Sequence, residues 1–331
     1  MSSILTNSAA ISALQTLRSI SNSIAVSQQQ ASSGLRVGNA SDDVAYWSVA
    51  TSMRSDNLAL SSAQDAIGLG AAKVDVAYGG VSAVVDLMKD FKARLVTASE
   101  DGVDRSKVNI ELSQLRDQMR SIVENSSFSG ENWLHLNDQN SQGWNTPKNV
   151  VSGILRNAQG QVSVTTLEFG KGLAELDGLD DLSLLIDDVA GTGRSGLLTS
   201  NAFAAELGVP QAYVIMHTKG AAHNTEGIEI ELTSATTADQ VADMIDVVEA
   251  VLAQTVRLSA QLGSLSARID LQEEFSRRLG DSIDQGIGRL VDAEMSATST
   301  RLKALQTQQQ LATQALSIAN GSTSNLLQLF R

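Results

Sequence analysis

The sequence contains no cysteine, which excludes disulfides, thiolate catalysis and cysteine-ligated zinc or iron–sulfur centres. The fold must hold by packing alone. Only two prolines, Pro147 and Pro210, interrupt 331 residues, and aromatic side chains make up 4%. Ala, Ser, Leu, Gln and Val fill the remainder, a composition that favours long helices. Positive charge is also short. The 24 Lys and Arg against 37 Asp and Glu leave a net charge of −13, which repels nucleic-acid backbones and anionic membrane surfaces. No apolar run approaches the roughly 18 residues of a spanning helix. The first basic residue, Arg18, comes too late for the charged start of a cleavable signal peptide, so export by that route is not expected. The 42% hydrophobic content still suffices for a sizeable core, and the length allows two or three domains.

Both ends lack charge as well. Residues 1–35 hold one charged side chain, Arg18, and residues 304–330 hold none. Ile4, Ile11, Leu14, Leu17, Ile20 and Ile24 recur at helical spacings in the first segment. In the last, Leu302, Leu305, Ala312, Leu316 and Ala319 form one stripe that Gln309 interrupts. Isolated helices with such sparse apolar positions are marginal in water, because tertiary packing supplies most helical stability. The ends therefore need partners, either each other within one molecule or other molecules that bury even their polar faces.

Further in, Val81, Val84, Met88, Phe91 and Leu95 step by three and four, as do Val108, Leu112, Leu115, Met119 and Ile122. Both rows have coiled-coil spacing. Ser99–Lys107 between them carries Gly102 and five charged residues, predicting a turn and an antiparallel helical hairpin. Thr237 and Gln240 have the spacing of a capping box. They open a run through Val241, Ile245, Val248, Leu252 and Val256, then Leu258, Leu262, Leu265, Ile269, Leu279, Ile283, Ile287 and Leu290. Glycines weaken a helix by about 1 kcal/mol each relative to Ala, so the run could be one very long helix or two, with a break or bend expected near Gly286–Gly288. Residues 137–237 differ in kind: both prolines, 12 of 25 glycines, and 12 acidic against 5 basic residues lie there. Val162–Phe169, Ala212–Thr218 and Gly227–Thr233 alternate like strands, predicting a solvent-facing insert of mixed or β character.

Motifs for chemistry are weak. Gly191, Gly193 and Gly196 form a lone GxGxxG, but no acidic residue follows about 20 positions later to complete a dinucleotide fingerprint. His217 and His223 lie near Glu226 and Glu229, without the HExxH or helical two-histidine spacing of a metal site; His135 stands apart. No GxSxG elbow is present. Asp42 and Asp43, after Asn39 and Ser41, suit a helix start. No catalytic, cofactor or metal residue is assigned, and no enzyme activity is expected.

Ser32-Ser33-Gly34-Leu35-Arg36, followed by Asp42-Asp43-Val44-Ala45, resembles the SSGLR…DDxA signature of bacterial flagellins. Thr6-Asn7-Ser8 and Leu17 match the start of that family, and Phe128-Ser129-Gly130 with Trp133-Leu134 is similar to its FNGxxLL turn. Leu262-Gly263 with Arg268, then Asp292-Ala293-Glu294, and finally Ala319-Asn320 with Asn325-Leu326-Leu327-Gln328-Leu329-Phe330-Arg331 resemble its C-terminal helix motifs and ending. Ser33, Gly34, Leu35, Arg36, Asp42, Asp43, Asn320 and Arg331 carry the signature. Tyr46-Trp47 stands where the family has small residues, and Leu87–Leu95 departs from the LQRxRELxxQ stretch that an animal immune receptor recognises in many members. These departures resemble those of alphaproteobacterial flagellins such as the rhizobial ones.

The resemblance implies a mainly α fold with an α+β or β outer insert. Residues 1–45 with 292–331 would form a terminal coiled coil, 46–136 with 238–291 a helical wall, and 137–237 the outer insert. It further implies a structural subunit polymerising into the extracellular flagellar filament, with ends that order on assembly. Its partners would be copies of itself and related flagellins, besides the flagellar export machinery, a chaperone, and junction and cap proteins. Export would follow the flagellar type III route, and neither nucleic acid nor membrane is a partner. Polymerisation contacts are expected at Ile4, Ile11, Leu14, Leu17, Leu35, Leu302, Leu305, Leu316, Leu326, Leu327 and Leu329. Alternatives are a hook-associated junction protein and an intracellular helical scaffold.

Overall fold

The computed structural model describes residues 7–136, 148–157, 161–169, 184–188, 196–218 and 227–328, with 322–328 as backbone only. Long helices dominate: α1 (Ser8–Ser33), α2 (Val44–Ser99), α3 (Arg105–Asn125), α5 (Ala238–Val291) and α6 (Met295–Gln328), with a short α4 (Ala202–Leu207). The chain divides into two compact units, residues 1–59 with 278–331, and residues 60–277.

In the larger unit, α2 turns inward Leu60, Ala63, Ile67, Gly70, Val74, Ala77, Val81, Val84, Met88, Phe91, Leu95 and Ala98. The spacing alternates three and four throughout, so the row expected from Val81 to Leu95 is part of a longer seam. Gly70 and Gly80 occupy two places where another element comes close. A Cβ on Gly70 would lie 2.2 Å from Val150, and one on Gly80 would lie 2.3 Å from the Ser126 hydroxyl. At Gly102, with φ +92°, α2 gives way to α3 within the expected turn. The buried row of α3 is Leu112, Arg116, Met119 and Val123. Arg116 thus takes the core position expected for Leu115, which packs at the margin.

The capping box at the head of α5 closes as expected: Thr237 N donates to Gln240 Oε1 (2.9 Å) and Gln240 N to Thr237 Oγ1 (3.3 Å). The inward row of α5 then runs Val241, Met244, Val248, Val251, Thr255, Leu258, Leu262, Leu265 and Ile269. This corrects the expected row, because Ile245 and Leu252 sit at its edge and Val256 is exposed. Thr255 is tolerated in the core because its hydroxyl donates to Val251 O (2.8 Å). The break expected at Gly286–Gly288 does not occur there. The helix continues to Val291, and a Cβ on Gly286 would meet the flexible end of Met53, 2.9 Å from its Cε.

Short strands lie between α3 and α5. β1 (Ser127–Phe128) and β2 (Glu131–Asn132) form a hairpin turned by Ser129 and Gly130, both at positive φ, the geometry of a two-residue primed turn. β3 (His135–Leu136) runs parallel to β6 (Ile186–Asp187), and β7 (Tyr213–Val214) parallel to β8 (Ile228–Glu229). β4 (Lys148–Arg156) and β5 (Val162–Phe169) form the largest hairpin, with a register shift between Val151 and Gly153. The expected strand at Val162–Phe169 is present, whereas those at Ala212–Thr218 and Gly227–Thr233 shrink to two residues each. Leu185, Ile186, Leu198, Phe203, Tyr213, Ile215 and Ile230 share one buried cluster with the helical seams.

Burial, reinforced by Asp243, raises the Tyr213 phenol above its ordinary value. The folded form therefore holds the proton more tightly than the unfolded chain. Stability from this group is present below pH ~10 and is lost as pH rises through the folded value. Tyr213→Phe is expected to move alkaline unfolding to higher pH, read as the midpoint of far-UV CD loss between pH 9 and 12.

Candidate assembly site

In the smaller unit α1 and α6 pair along their length in antiparallel fashion, as their two end contacts establish. Asn7 Nδ2 donates to Ala319 O (2.9 Å) at one end, and Ala293 N donates to Gly34 O (2.8 Å) at the other. Asn7 also caps α1, its Oδ1 accepting from Ala10 N (3.0 Å). The inward row of α1 is Ala10, Ala13, Leu17, Ile20, Ile24, Ser27 and Ala31; that of α6 is Thr298, Leu302, Leu305, Gln309, Ala312, Leu316 and Ala319. Both keep heptad spacing. The stripe expected in α6 is therefore its seam, Gln309 included.

The residues expected to carry polymerisation separate into two groups. Leu17, Leu302, Leu305 and Leu316 lie in the seam, and Leu35 packs beside Val37, Ala50, Ile287 and Val291 in a small second core. Ile11 (50% exposed) and Leu14 (40%) point away from α6. Sequence reasoning missed Leu311 (59%) and Ile318 (75%), which form a second outward row on α6. Their spacing of seven was the available signal. Ile4, Leu329 and Arg331 lie outside the described residues, Leu326 and Leu327 are placed only as part of α6, and Asn320 is exposed on it.

The signature residues form a clasp at the base of this pair. Ser33 Oγ accepts from Leu35 N (3.2 Å), and Gly34 ends α1 at φ +73°, its N–H donating to Gln30 O, the left-handed stop that glycine permits. Leu35 then bridges Asp292 as a one-residue antiparallel ladder, flanked by Arg36 N to Val291 O (2.6 Å). Asp42 accepts from Gly38 N (2.9 Å) and Asn39 N (3.0 Å), which turns the loop. Asp43 accepts from Ala45 N (3.0 Å) and Tyr46 N (3.1 Å), capping α2. Both carboxylates are thus structural. Trp47 packs against the second core.

The motifs considered for chemistry occupy other places. A Cβ on Gly196 would lie 2.5 Å from Leu185 O, so this glycine lets two backbones meet; Gly191 and Gly193 lie outside the described residues. His217 Nε2 is 3.9 Å from Glu229, while His223 and Glu226 lie outside the described residues. His135 joins Glu124 and Asp188 in a cluster whose donor atoms lie within 4.8 Å of one another. Asp188 accepts from Arg120 (3.2 Å) and contacts His135 Nε2 (3.0 Å), so a guanidinium already supplies the counter-charge. Arg116 pairs with Glu229 and donates to Ile230 O (3.3 Å).

Two long helices with almost no charge, α1 and α6, paired in antiparallel fashion with large apolar side chains exposed on their outer faces, mark a helical protein of the structural class. Comparison with known proteins identifies which. Residues 4–139 match the bacterial flagellin N-terminal helical region and residues 245–330 the bacterial flagellin C-terminal helical region. The chain is 45% identical to Flagellin C and 42% identical to Flagellin A of Rhizobium meliloti strain 1021, and 35% identical to a flagellin of Brucella melitensis, each over the full length of both chains. The chain belongs to the bacterial flagellin family and is a structural subunit of the flagellar filament. Among the described residues no helix is long and apolar enough to cross a membrane.

Proposed function

We propose that the paired ends drive polymerisation through their outer faces, with Ile11 and Leu14 of α1 and Leu311 and Ile318 of α6 as contacts between copies. Leu17, Leu35, Leu302, Leu305 and Leu316 act one step earlier, by holding the helix pair and its clasp together. Ile4, Leu326, Leu327 and Leu329 would add further contacts between copies. The observation that carries this reading is the exposure of large apolar side chains on helices with almost no charge to solvate them. Burying such a side chain contributes about 1.5–3 kcal/mol when complete, so four per subunit outweigh much of the entropy of docking. The ends order as copies bury them, which couples folding to growth.

Contacts of this kind that do not close on themselves give an open helical polymer. The three-part division into terminal coiled coil, helical wall and outer insert would then run from the filament axis outward. The subunit is proposed to leave the cell unfolded at its ends through the flagellar type III route, aided by a chaperone, and to add beneath a cap beyond junction proteins. Related flagellins of one cell would share the filament. The test is Ile11→Asp combined with Leu14→Asp. These variants are expected to be soluble and secreted yet to form no filaments by negative-stain electron microscopy, whereas normal filaments would reject the outer-face assignment.

A further inference from the structure

Arg36 touches three helices from one position. Its guanidinium Nη2 donates to Leu290 O (2.6 Å), one of the last carbonyls of α5, and its Cζ lies 5.3 Å from the centroid of the Tyr46 ring in the first turn of α2. Its backbone N–H donates to Val291 O (2.6 Å), and its carbonyl accepts from Gln30 Nε2 (3.4 Å) in the last turn of α1. Among the described residues no carboxylate pairs with it. Its charge is held by the negative end of a helix and by a π face. Both are partners for a planar guanidinium that a lysine ammonium reproduces poorly.

Tyr46 is 43% exposed, so the fold does not need it as core. We propose that Arg36, seated on Tyr46, is a positioning residue for polymerisation: it fixes the direction in which α1 leaves the ends of α2 and α5, and so the geometry in which subunits meet. The proposal rests on the filament-subunit function. It assigns to one side chain the link from residue 36 to the first turn of α2, since the clasp's backbone hydrogen bonds hold only residues 34–37 to 291–293, and Ala50, Trp47 and Met53 pack α2 against α5 further along.

The experiment compares full-length wild type with Arg36→Lys, Tyr46→Phe and Tyr46→Leu in precipitant-induced assembly. Critical concentration and helical parameters are read from sedimentation and electron micrographs, and the melting of residues 60–277 is followed by CD. Arg36→Lys is expected to raise the critical concentration by about tenfold, the equivalent of roughly 1.4 kcal/mol. The polymers it does form should have altered subunit twist or rise, with melting unchanged. Tyr46→Leu should share the defect and Tyr46→Phe, which keeps the ring, should not. Arg36→Lys filaments with wild-type concentration dependence and helical parameters would overturn the proposal, as would equal defects in Tyr46→Phe and Tyr46→Leu. Failure of the wild type itself to polymerise would instead count against the filament reading.

Discussion

Leu316→Asp is expected to abolish filament growth while leaving residues 60–277 folded. Leu316 lies in the α6 seam, one turn from Ala319, whose carbonyl receives the Asn7 side chain. A carboxylate there replaces apolar contact with α1 by a charge that the seam cannot solvate, at a cost of about 2–4 kcal/mol. Because every 1.4 kcal/mol is a tenfold change in an equilibrium constant, the critical concentration should rise by roughly 30- to 1,000-fold, beyond the range of ordinary preparations. The larger unit should not respond. Among the described residues its buried cluster is made of residues between Ile67 and Ile269. Electron microscopy of the variant under assembly conditions, together with its thermal CD transition, reads both halves. Wild-type filaments would show that the seam is dispensable. A lowered transition for residues 60–277 would show that the ends support the wall.

Leu316→Asp and the Ile11 and Leu14 variants are expected to act on different steps, which the sequence did not separate. Periodicity marked the α6 seam from Leu302 to Ala319 correctly, because a stripe at three and four is the same stripe in the fold. In α1 it merged Ile11 and Leu14 with Leu17, Ile20 and Ile24, since five apolar residues spread over two faces still lie at helical spacings from one another. Small residues hid the true row, which runs through Ala10, Ala13, Ser27 and Ala31. The same ambiguity displaced the expected α5 row onto Ile245, Leu252 and Val256, when Met244, Val251 and Thr255 face inward. A hydrophobicity count prefers Val to Thr at such a place, and only the hydrogen bond to Val251 O makes the threonine acceptable.

Glycine was legible as a special residue but not in its task. The doublet Gly286 and Gly288 suggested a break, yet the chain stops the helix at Asp292–Glu294, where Gly34 supplies a hydrogen-bond acceptor from 259 residues away in sequence. Pairings of that range leave no local trace. The polar cluster of Arg116, Arg120, Glu124, His135, Asp188 and Glu229 was invisible for this reason, because α3, β3, β6 and β8 bring together charges that are scattered along the chain. Arg116 on its own reads as a solvated helix residue among Leu112, Leu115 and Met119.

That buried arginine sets the second large effect. Arg116 is 6% exposed and paired with Glu229, which is 23% exposed and also accepts from His217 N (3.3 Å). Desolvation of two such charges offsets much of their attraction, so the intact pair contributes little net stability, whereas removing one partner leaves the other uncompensated. The two halves are not equivalent. Glu229→Ala strands a guanidinium in the core at a cost of about 3 kcal/mol or more. For a folded unit of this size that corresponds to a melting point lowered by roughly 6–12 °C. Arg116→Met fills the core position with an apolar chain of similar length and leaves a carboxylate that retains some access to water, so its cost should be about 1 kcal/mol. In Arg116→Met combined with Glu229→Ala, most of the damage done by Glu229→Ala should disappear. The measurement is urea unfolding of the monomeric protein for all four members of the cycle. A methionine variant less stable than Glu229→Ala, or a double variant at the sum of the singles, would mean that the ion pair itself holds β8 to α3. Recovery in the double variant would place the pair's importance in its satisfaction: a charge admitted to the core, where periodicity expected an apolar residue, and made tolerable by one glutamate and one carbonyl from a distant strand.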